Sequence, residues 1–521
     1  VVSDEPVDVV VVGAGAAGSI YADVLARAGR RVRVIERGPQ RELSDLVSSQ
    51  LWARRLKWGA PPPRFAGDRP GFSHNVQLGE GLGGAALHHY ATWPRIPEAA
   101  LRARERLGAG VDWPFGYDEL RPWYDALEAE AGLSGDAAAE RWRPPAPPYK
   151  MPPLPATKQG AVLARGFKAL GLAVAPLPVA ITSREYRDRP ACQLDGWCDA
   201  GCPIQALWNP LVLHVPRAIA AGARFDTGLA VTRIRAAVHD RAAGVEYVSV
   251  GGGAGRFQPA KVVVLAANLI QNPRLLLASR CAAWPEGAGN GRDQVGRHLM
   301  MEGMVLTYGL FAEPTEPWAG VSAGSLLNRS VGERPGAPPG AWQWQIAPAA
   351  KPNDIFGVAM TRPDLFGPAL DRFIRRASTH LGSMAAMVEQ AADPANRVTL
   401  AEETDAHGVP QARVEHRRGA ALETLAAFVE AEGLRVMRAA GAVEAWSAPL
   451  QTGHLAGGTI MGTDPAHSTC DAQARVHGVP NLLVGGSGLF PANGGVSPTF
   501  TLSALALRSA THMARNWSEY A

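Results

Sequence analysis

Long hydrophobic runs are missing from this 521-residue chain. No stretch approaches the roughly 18 to 20 consecutive apolar residues that a membrane-spanning helix needs, so no span is expected. Cysteine is scarce: Cys192, Cys198, Cys202, Cys281 and Cys470 are the whole complement of five. That is too few to staple a disulfide scaffold. Net charge is small, +4, and no basic stripe is interleaved with aromatics. A nucleic-acid partner is therefore excluded. No basic stretch, apolar run and cleavage site precede Val9, so no signal peptide is expected. The expected compartment is the cytoplasm, or the periplasm if the folded chain is exported with a signal-bearing partner. No internal repeat is present.

What remains is ordinary globular composition, with 46% hydrophobic and 19% charged residues, long enough for about two to four domains. The strongest local signal lies between Val9 and Glu36. Val9-Val10-Val11-Val12 reads as a buried strand, Gly13-Ala14-Gly15-Ala16-Ala17-Gly18 as a turn, and Ser19 to Ala28 as a helix. A second strand, Val32-Arg33-Val34-Ile35, ends at Glu36. Each part has a physical job in holding a dinucleotide. Gly13 permits the tight turn, Gly15 lets backbone approach a pyrophosphate, and Gly18 lets helix and strand pack closely. The helix N-terminus offers unpaired N–H groups to the phosphates. Glu36 is placed to accept from a ribose hydroxyl. The N-terminal position of the motif favours FAD over NAD.

Further along, residues 76 to 96 hold a second glycine cluster, Gly79-Glu80-Gly81-Leu82-Gly83-Gly84, followed by His88-His89. Helical spacing of Leu120, Trp123 and Leu127 predicts a helix over 117–130. The proline-rich run 143–155 predicts a semi-rigid connection. Helices are predicted over 157–171 and about 210–222, and β-hairpins over 225–265, with a tight turn at Gly251-Gly252-Gly253 and a buried strand Val262–Leu265. Residues 295–415 read as irregular. Their Trp318, Trp342, Trp344 and Met360 fit either the stacking of a sugar ring or a place in the core. A helix is predicted over 422–440, a strand over 481–484, a glycine-rich turn over 485–498, and a helix over 499–515. Nucleotide-type elements at both ends and in the middle imply a cofactor domain built from discontinuous segments.

The segments LGEGLGGAALHH at 78–89, VVVLAANLIQNPRLLLASR at 262–280, GHLAGGTIMGTDP at 453–465 and NLLVGGSGLFPANGGVSPTFTLSALALR at 481–508 follow the N-terminal fingerprint in order. Together the five resemble a glucose–methanol–choline (GMC) oxidoreductase over nearly the whole chain. The resemblance implies an α/β fold (α+β overall). Its Rossmann-like FAD-binding domain is discontinuous, and the inserted substrate domain stands on an antiparallel sheet. It divides the chain into FAD-binding parts at 1–145 and 216–294, a linker and cysteine loop at 146–215, a substrate domain at 295–450, and a C-terminal FAD-binding part with the catalytic segment at 451–521. It also implies oxidation of an alcohol by hydride transfer to flavin.

In the family, a histidine before a Gly-Thr turn is the catalytic base, and His454 occupies that place. Imidazole suits the task because hydride leaves carbon readily only as the hydroxyl proton departs. The second catalytic position, usually His or Asn, reads Ser497 here. Either Ser497 bonds the substrate hydroxyl, or Asn493 swings in, or the position is structural. By the same resemblance, Gly83 and Gly84 match the second flavin-contacting turn, and Gly486, Ser487 and Leu489 the third. Val231 matches a backbone contact to adenine, and Ala266 and Ala267 follow a buried strand near the cofactor. His88 matches a position where some pyranose-oxidising members attach flavin covalently and others do not.

Cys192-x5-Cys198-x3-Cys202-Pro203 is a compact thiol loop ended by Cys-Pro, the usual setting of iron–sulfur ligation. Three cysteines suit a [3Fe-4S] cluster. The alternatives are a zinc site completed by Asp195, Asp199 or His214, a loop disulfide in an oxidising compartment, or a loop that binds nothing. With a cluster, the chain resembles the large subunits of bacterial sugar and polyol dehydrogenases, which implies a small subunit and a cytochrome c acceptor. The rival readings are an oxidase using O2 without a cluster, and a non-catalytic electron-transfer flavoprotein subunit.

Overall fold

Four consecutive valines at 9–12 have no exposed side chain beyond 4%, because strand Val7–Val12 lies at the centre of a sheet covered on both faces. The computed structural model describes residues 2–57, 59, 62–67, 78–332 and 334–521. Residues 76 and 77 of the second glycine segment lie outside the described residues.

Strand Val7–Val12 pairs in parallel with Val32–Ile35 on one side and with Arg256–Leu265 on the other. Arg224–Asp226 and Leu482–Val484 extend the parallel sheet at its two edges. The first half of Arg256–Leu265 pairs instead with Ala242–Ser249, which pairs with Leu229–Ala236, both antiparallel. The expected hairpins thus form, except that Arg224–Asp226 joins the parallel sheet. Helix Ala16–Arg27 packs on helices Thr499–Arg515 and His214–Ala220.

Residues 295–415 are not irregular. Strands Met300–Phe311, Leu326–Ser330, Trp342–Ile346 and Leu381–Val388 build an antiparallel sheet with Ala442–Ser447 and Gln451–Ala456. Helix Ala420–Ala439 packs against it. Period-two patterning is absent from the four strands of this sheet within 295–415 because they are buried on both faces; every residue of Trp342–Ile346 is buried. Trp342 and Trp344 are core, each 0% exposed, and Trp344 Nε1 donates to Glu432 Oε1 at 3.1 Å. Neither is available to stack on a ligand. Trp318 is half exposed, and Met360 is exposed at a cavity rim.

The remaining helices stand close to expectation: Tyr117–Ala131, Lys158–Ala169 with Thr157 as its N-cap, and His214–Ala220, shorter than predicted because 210–213 form a turn. The proline-rich run is pinned rather than free. Met151 is buried and bridges Ser134, and Tyr149 donates to Glu140. Among the described residues, no helix is long and apolar enough to cross a membrane.

Candidate functional site

The N-terminal turn is built on glycines that admit no side chain. Gly13 has φ +100°, and a Cβ there would lie 2.5 Å from the Ala266 carbonyl oxygen. A Cβ on Gly18 would fall 2.0 Å from the Gly13 oxygen. Gly15 caps helix Ala16–Arg27, and the second glycine segment comes up against it: a Cβ on Gly84 would stand 2.9 Å from the Gly15 Cα. Gly83 N–H donates to Ala14 O at 3.0 Å. Glu36 gathers three turns. Its carboxylate accepts from the backbone N–H of Ala14 (2.9 Å), Gly38 (2.8 Å) and Gly81 (3.0 Å).

These turns open on a cavity of about 1020 Å³. Gly13, Gly15, Glu36, Gly84, His88, Val231, Ala266, Ala267, Gly486 and Ser487 line it, as do His454 and Ser497. Gly18, Gly83 and Leu489 stand behind the wall; Leu489 is 1% exposed, in the core. Asn493 is not brought to the cavity. Its Oδ1 accepts from Gly495 N–H at 3.2 Å, within its own turn. His88 is 7% exposed, and among the described residues its Nε2 has no hydrogen-bond partner. Burial pushes its imidazolium down to about 3, so it is neutral.

His454 lies on strand Gln451–Ala456, antiparallel to Met300–Phe311. The pairing runs Met301 with Leu455 and Gly303 with Thr452, so Gly453 and His454 stand opposite the single residue Glu302. This is a β-bulge, which re-aims the side chain of its strand. Glu302 Oε2 lies 2.9 Å from His454 Nδ1. Glu302 is wholly buried, and burial pushes its carboxyl up to about 7 against the pull of His454. Among the described residues, its Oε1 has no hydrogen-bond partner. The sequence reading missed Glu302. Its signal was a lone acid in the apolar run Leu299-Met300-Met301-Glu302-Gly303-Met304. Gln345 was missed too: its Nε2 donates to Ser497 Oγ at 3.2 Å, and it lines the cavity.

The cysteine loop lies next to this wall. Ser322 lines the cavity, donates to Gly196 O at 2.7 Å, and hydrogen-bonds the Cys198 sulfur. The Cys192 sulfur accepts from Leu194 N–H at 3.3 Å. The Cys202 sulfur accepts from the N–H groups of Ile204, Ala206 and Leu207. Burial pushes the Cys192 thiol up to about 11, Cys198 to about 12, and Cys202 upward. All five cysteines are free, so the loop holds no disulfide. The residues named for zinc are engaged elsewhere. Asp199 binds Lys57 at 2.6 Å and Lys351 at 3.4 Å, His214 binds Asp23 at 2.9 Å, and Asp195 accepts from Ser48 and Trp197. Among the described residues, no three His, Cys, Asp or Glu converge on a point where one ion would sit.

A parallel sheet with glycine turns closed on an acid, an antiparallel sheet beside it, and a histidine on the cavity wall backed by a buried carboxylate define a dinucleotide-dependent oxidoreductase. Residues 7–302 and 392–506 match the two family models of the GMC oxidoreductases, and the chain belongs to that family. It is an enzyme, an FAD-dependent oxidoreductase acting on CH–OH donors. It is 30% identical to the fructose dehydrogenase large subunit of Gluconobacter japonicus, over 96% of this chain and 97% of that one. It is also 30% identical to paromamine 6'-oxidase of Streptomyces fradiae, over 97% and 91%. A crystal structure of formate oxidase shares the fold with a TM-score of 0.70 at 14% identity, each chain covered completely.

Proposed function

We propose that the protein oxidises a hydroxyl of a sugar or polyol to a carbonyl, and that electrons leave through an iron–sulfur cluster in the cysteine loop to a cytochrome c or similar one-electron carrier. FAD, when bound, supplies the hydride acceptor, and the cluster, when bound, supplies the one-electron outlet. The observation that carries the first part is the Glu302–His454 pair at the cavity wall. With Glu302 ionised, His454 donates Nδ1–H to it, which leaves Nε2 unprotonated and able to take the hydroxyl proton. Ser497, backed by Gln345, holds the substrate oxygen. Gln451, Thr452 and Ser383 add polar groups to the same cavity, as a polyhydroxy substrate needs. Gly13, Gly15 and Gly84 would hold the pyrophosphate, Glu36 the ribose and the Val231 backbone the adenine, while His88, Ala266, Gly486 and Ser487 would stand by the flavin end of the cavity. The domain division given above follows the same reading.

Three observations support the cluster. Cys192, Cys198 and Cys202 share one loop, and each sulfur accepts hydrogen bonds from protein donors, three of them backbone N–H groups at Cys202. Ser322 joins the Cys198 sulfur to the cavity wall. A multi-iron cluster takes its thiolates on separate irons, so its ligands stand further apart than those of one ion. The name of the Gluconobacter relative, a large subunit, supports a small-subunit partner.

The test is anaerobic titration of the purified flavoprotein with a panel of sugars and polyols, with iron and acid-labile sulfide measured per flavin. Bleaching of the oxidised flavin band by a member of the panel, with about three irons per flavin, is expected. Flavin without iron removes the relay and leaves an oxidase using O2. A flavin that no sugar or alcohol reduces leaves a non-catalytic flavoprotein subunit.

A further inference from the structure

Arg189 is a buried guanidinium that, among the described residues, meets no carboxylate. It is 7% exposed, and its three hydrogen bonds all go to carbonyl oxygens: Ala131 at 2.5 Å, Gln205 at 2.8 Å and Ala206 at 2.8 Å. Among the described residues, no carboxylate lies within ion-pair distance of it, and the acidic groups that act on it are the Cys202 thiol and the Tyr186 hydroxyl. Carbonyls satisfy the donors of a buried cation but leave its charge uncompensated, and an uncompensated buried charge is costly.

Two of those carbonyls belong to particular peptide units. The Gln205 C=O shares its peptide group with the Ala206 N–H, and the Ala206 C=O shares its own with the Leu207 N–H. Both N–H groups point at the Cys202 sulfur. Arg189 therefore holds the negative ends of two peptide dipoles whose positive ends face sulfur. Gln205 is left-handed, φ +66°, which turns successive N–H groups to one side. Such a concavity of backbone donors suits an anion. A guanidinium behind the dipoles polarises them further, because chained hydrogen bonds reinforce one another.

We infer that Arg189 is the fixed counter-charge of the cysteine loop, positioning and polarising the Ala206 and Leu207 N–H groups on Cys202 and thereby holding an anionic iron–sulfur centre there. The inference rests on the cluster reading above. A nearby cation stabilises the more negative, reduced state of such a centre, so Arg189 raises its reduction potential. Arg189 is a positioning residue, since it acts through the peptide groups and touches neither substrate nor the flavin cavity.

The experiment compares wild type, Arg189→Gln and Arg189→Lys as full-length purified flavoproteins. Iron per flavin, melting temperature and the midpoint potential of the iron centre are measured in a redox titration followed by electron paramagnetic resonance. In Arg189→Gln the reduction equilibrium is expected to fall at least tenfold, about 59 mV for a one-electron couple, or the iron is lost while flavin is retained. Arg189→Lys, which keeps the charge but not the planar fork, is expected to shift the potential in the same direction by less. If Arg189→Gln accumulates without flavin, Arg189→Lys carries the test. Unchanged potential and unchanged iron in the folded variant would overturn the role of Arg189 alone. A wild-type protein with flavin and no iron overturns the cluster reading and this inference with it.

Discussion

Glu302 and His454 face each other across a bulge, with Oε2 and Nδ1 2.9 Å apart, and they are separated by 152 positions in the chain. The acid is fully buried while the imidazole reaches the cavity. One side chain is thus open to the cavity and the other fixes its orientation.

Replacement of His454 by alanine is expected to lower kcat for flavin reduction by about 10²- to 10⁴-fold, the range for loss of a general base. Flavin content should be unchanged. Stopped-flow bleaching of the flavin checks this, and a rate within twofold of wild type would remove His454 from the chemistry.

The pair also sets a pH dependence. As pH falls through about 7, Glu302 gains a proton and donates it to Nδ1. His454 then carries its own proton on Nε2, and the base is lost. Flavin reduction is therefore expected to slow below about pH 7. Stability runs the other way. A carboxyl raised in the folded state contributes stability below its unfolded value, near 4.5, and loses it as pH rises through about 7. Glu302→Gln should therefore melt higher than wild type at pH 8, with a smaller gain at pH 5, while turning over more slowly at both. Thermal melts paired with pH–rate profiles test both signs.

Ser497→Ala removes the hydroxyl that Gln345 backs, and about a tenfold loss in kcat/KM is expected, in the range of one hydrogen bond. Asn493→Ala should leave the kinetics unaltered, because that side chain serves its own turn. Steady-state kinetics of the two variants separate the positions; equal losses would contradict the assignment.

Cys198→Ser is expected to keep flavin and substrate-driven bleaching but to lose iron and the reduction of a one-electron carrier. Iron analysis beside assays with cytochrome c and with an artificial two-electron acceptor would show the split. Full carrier reduction by an iron-free variant would end the relay.

Gly18→Ala drives a Cβ to 2.0 Å from the Gly13 oxygen. The overpacking should cost about 1–3 kcal/mol and reduce flavin occupancy, read from a thermal melt and the flavin-to-protein absorbance ratio.

The sequence determined the local chemistry of this protein. Gly13 and Gly18 carry their conformational demands in residue type alone, because no other side chain fits a left-handed turn or a contact that close. Helix and strand could be read where one face is buried, as in Lys158–Ala169, but not in Met300–Phe311 or Trp342–Ile346, whose burial on both faces erases the alternating pattern. His454 stood out through its Gly-Thr turn, whereas Glu302 and Gln345 are linked to it and to Ser497 only by strand pairing. Asn493 and Ser497 are equivalent on paper, four residues apart. The turn that brings Ser497 to the cavity closes Asn493 onto Gly495. The cysteine spacing likewise announced a loop of thiols, but the buried cation behind it came only with the fold, since Arg189 reaches that loop through carbonyl oxygens whose directions no spacing encodes.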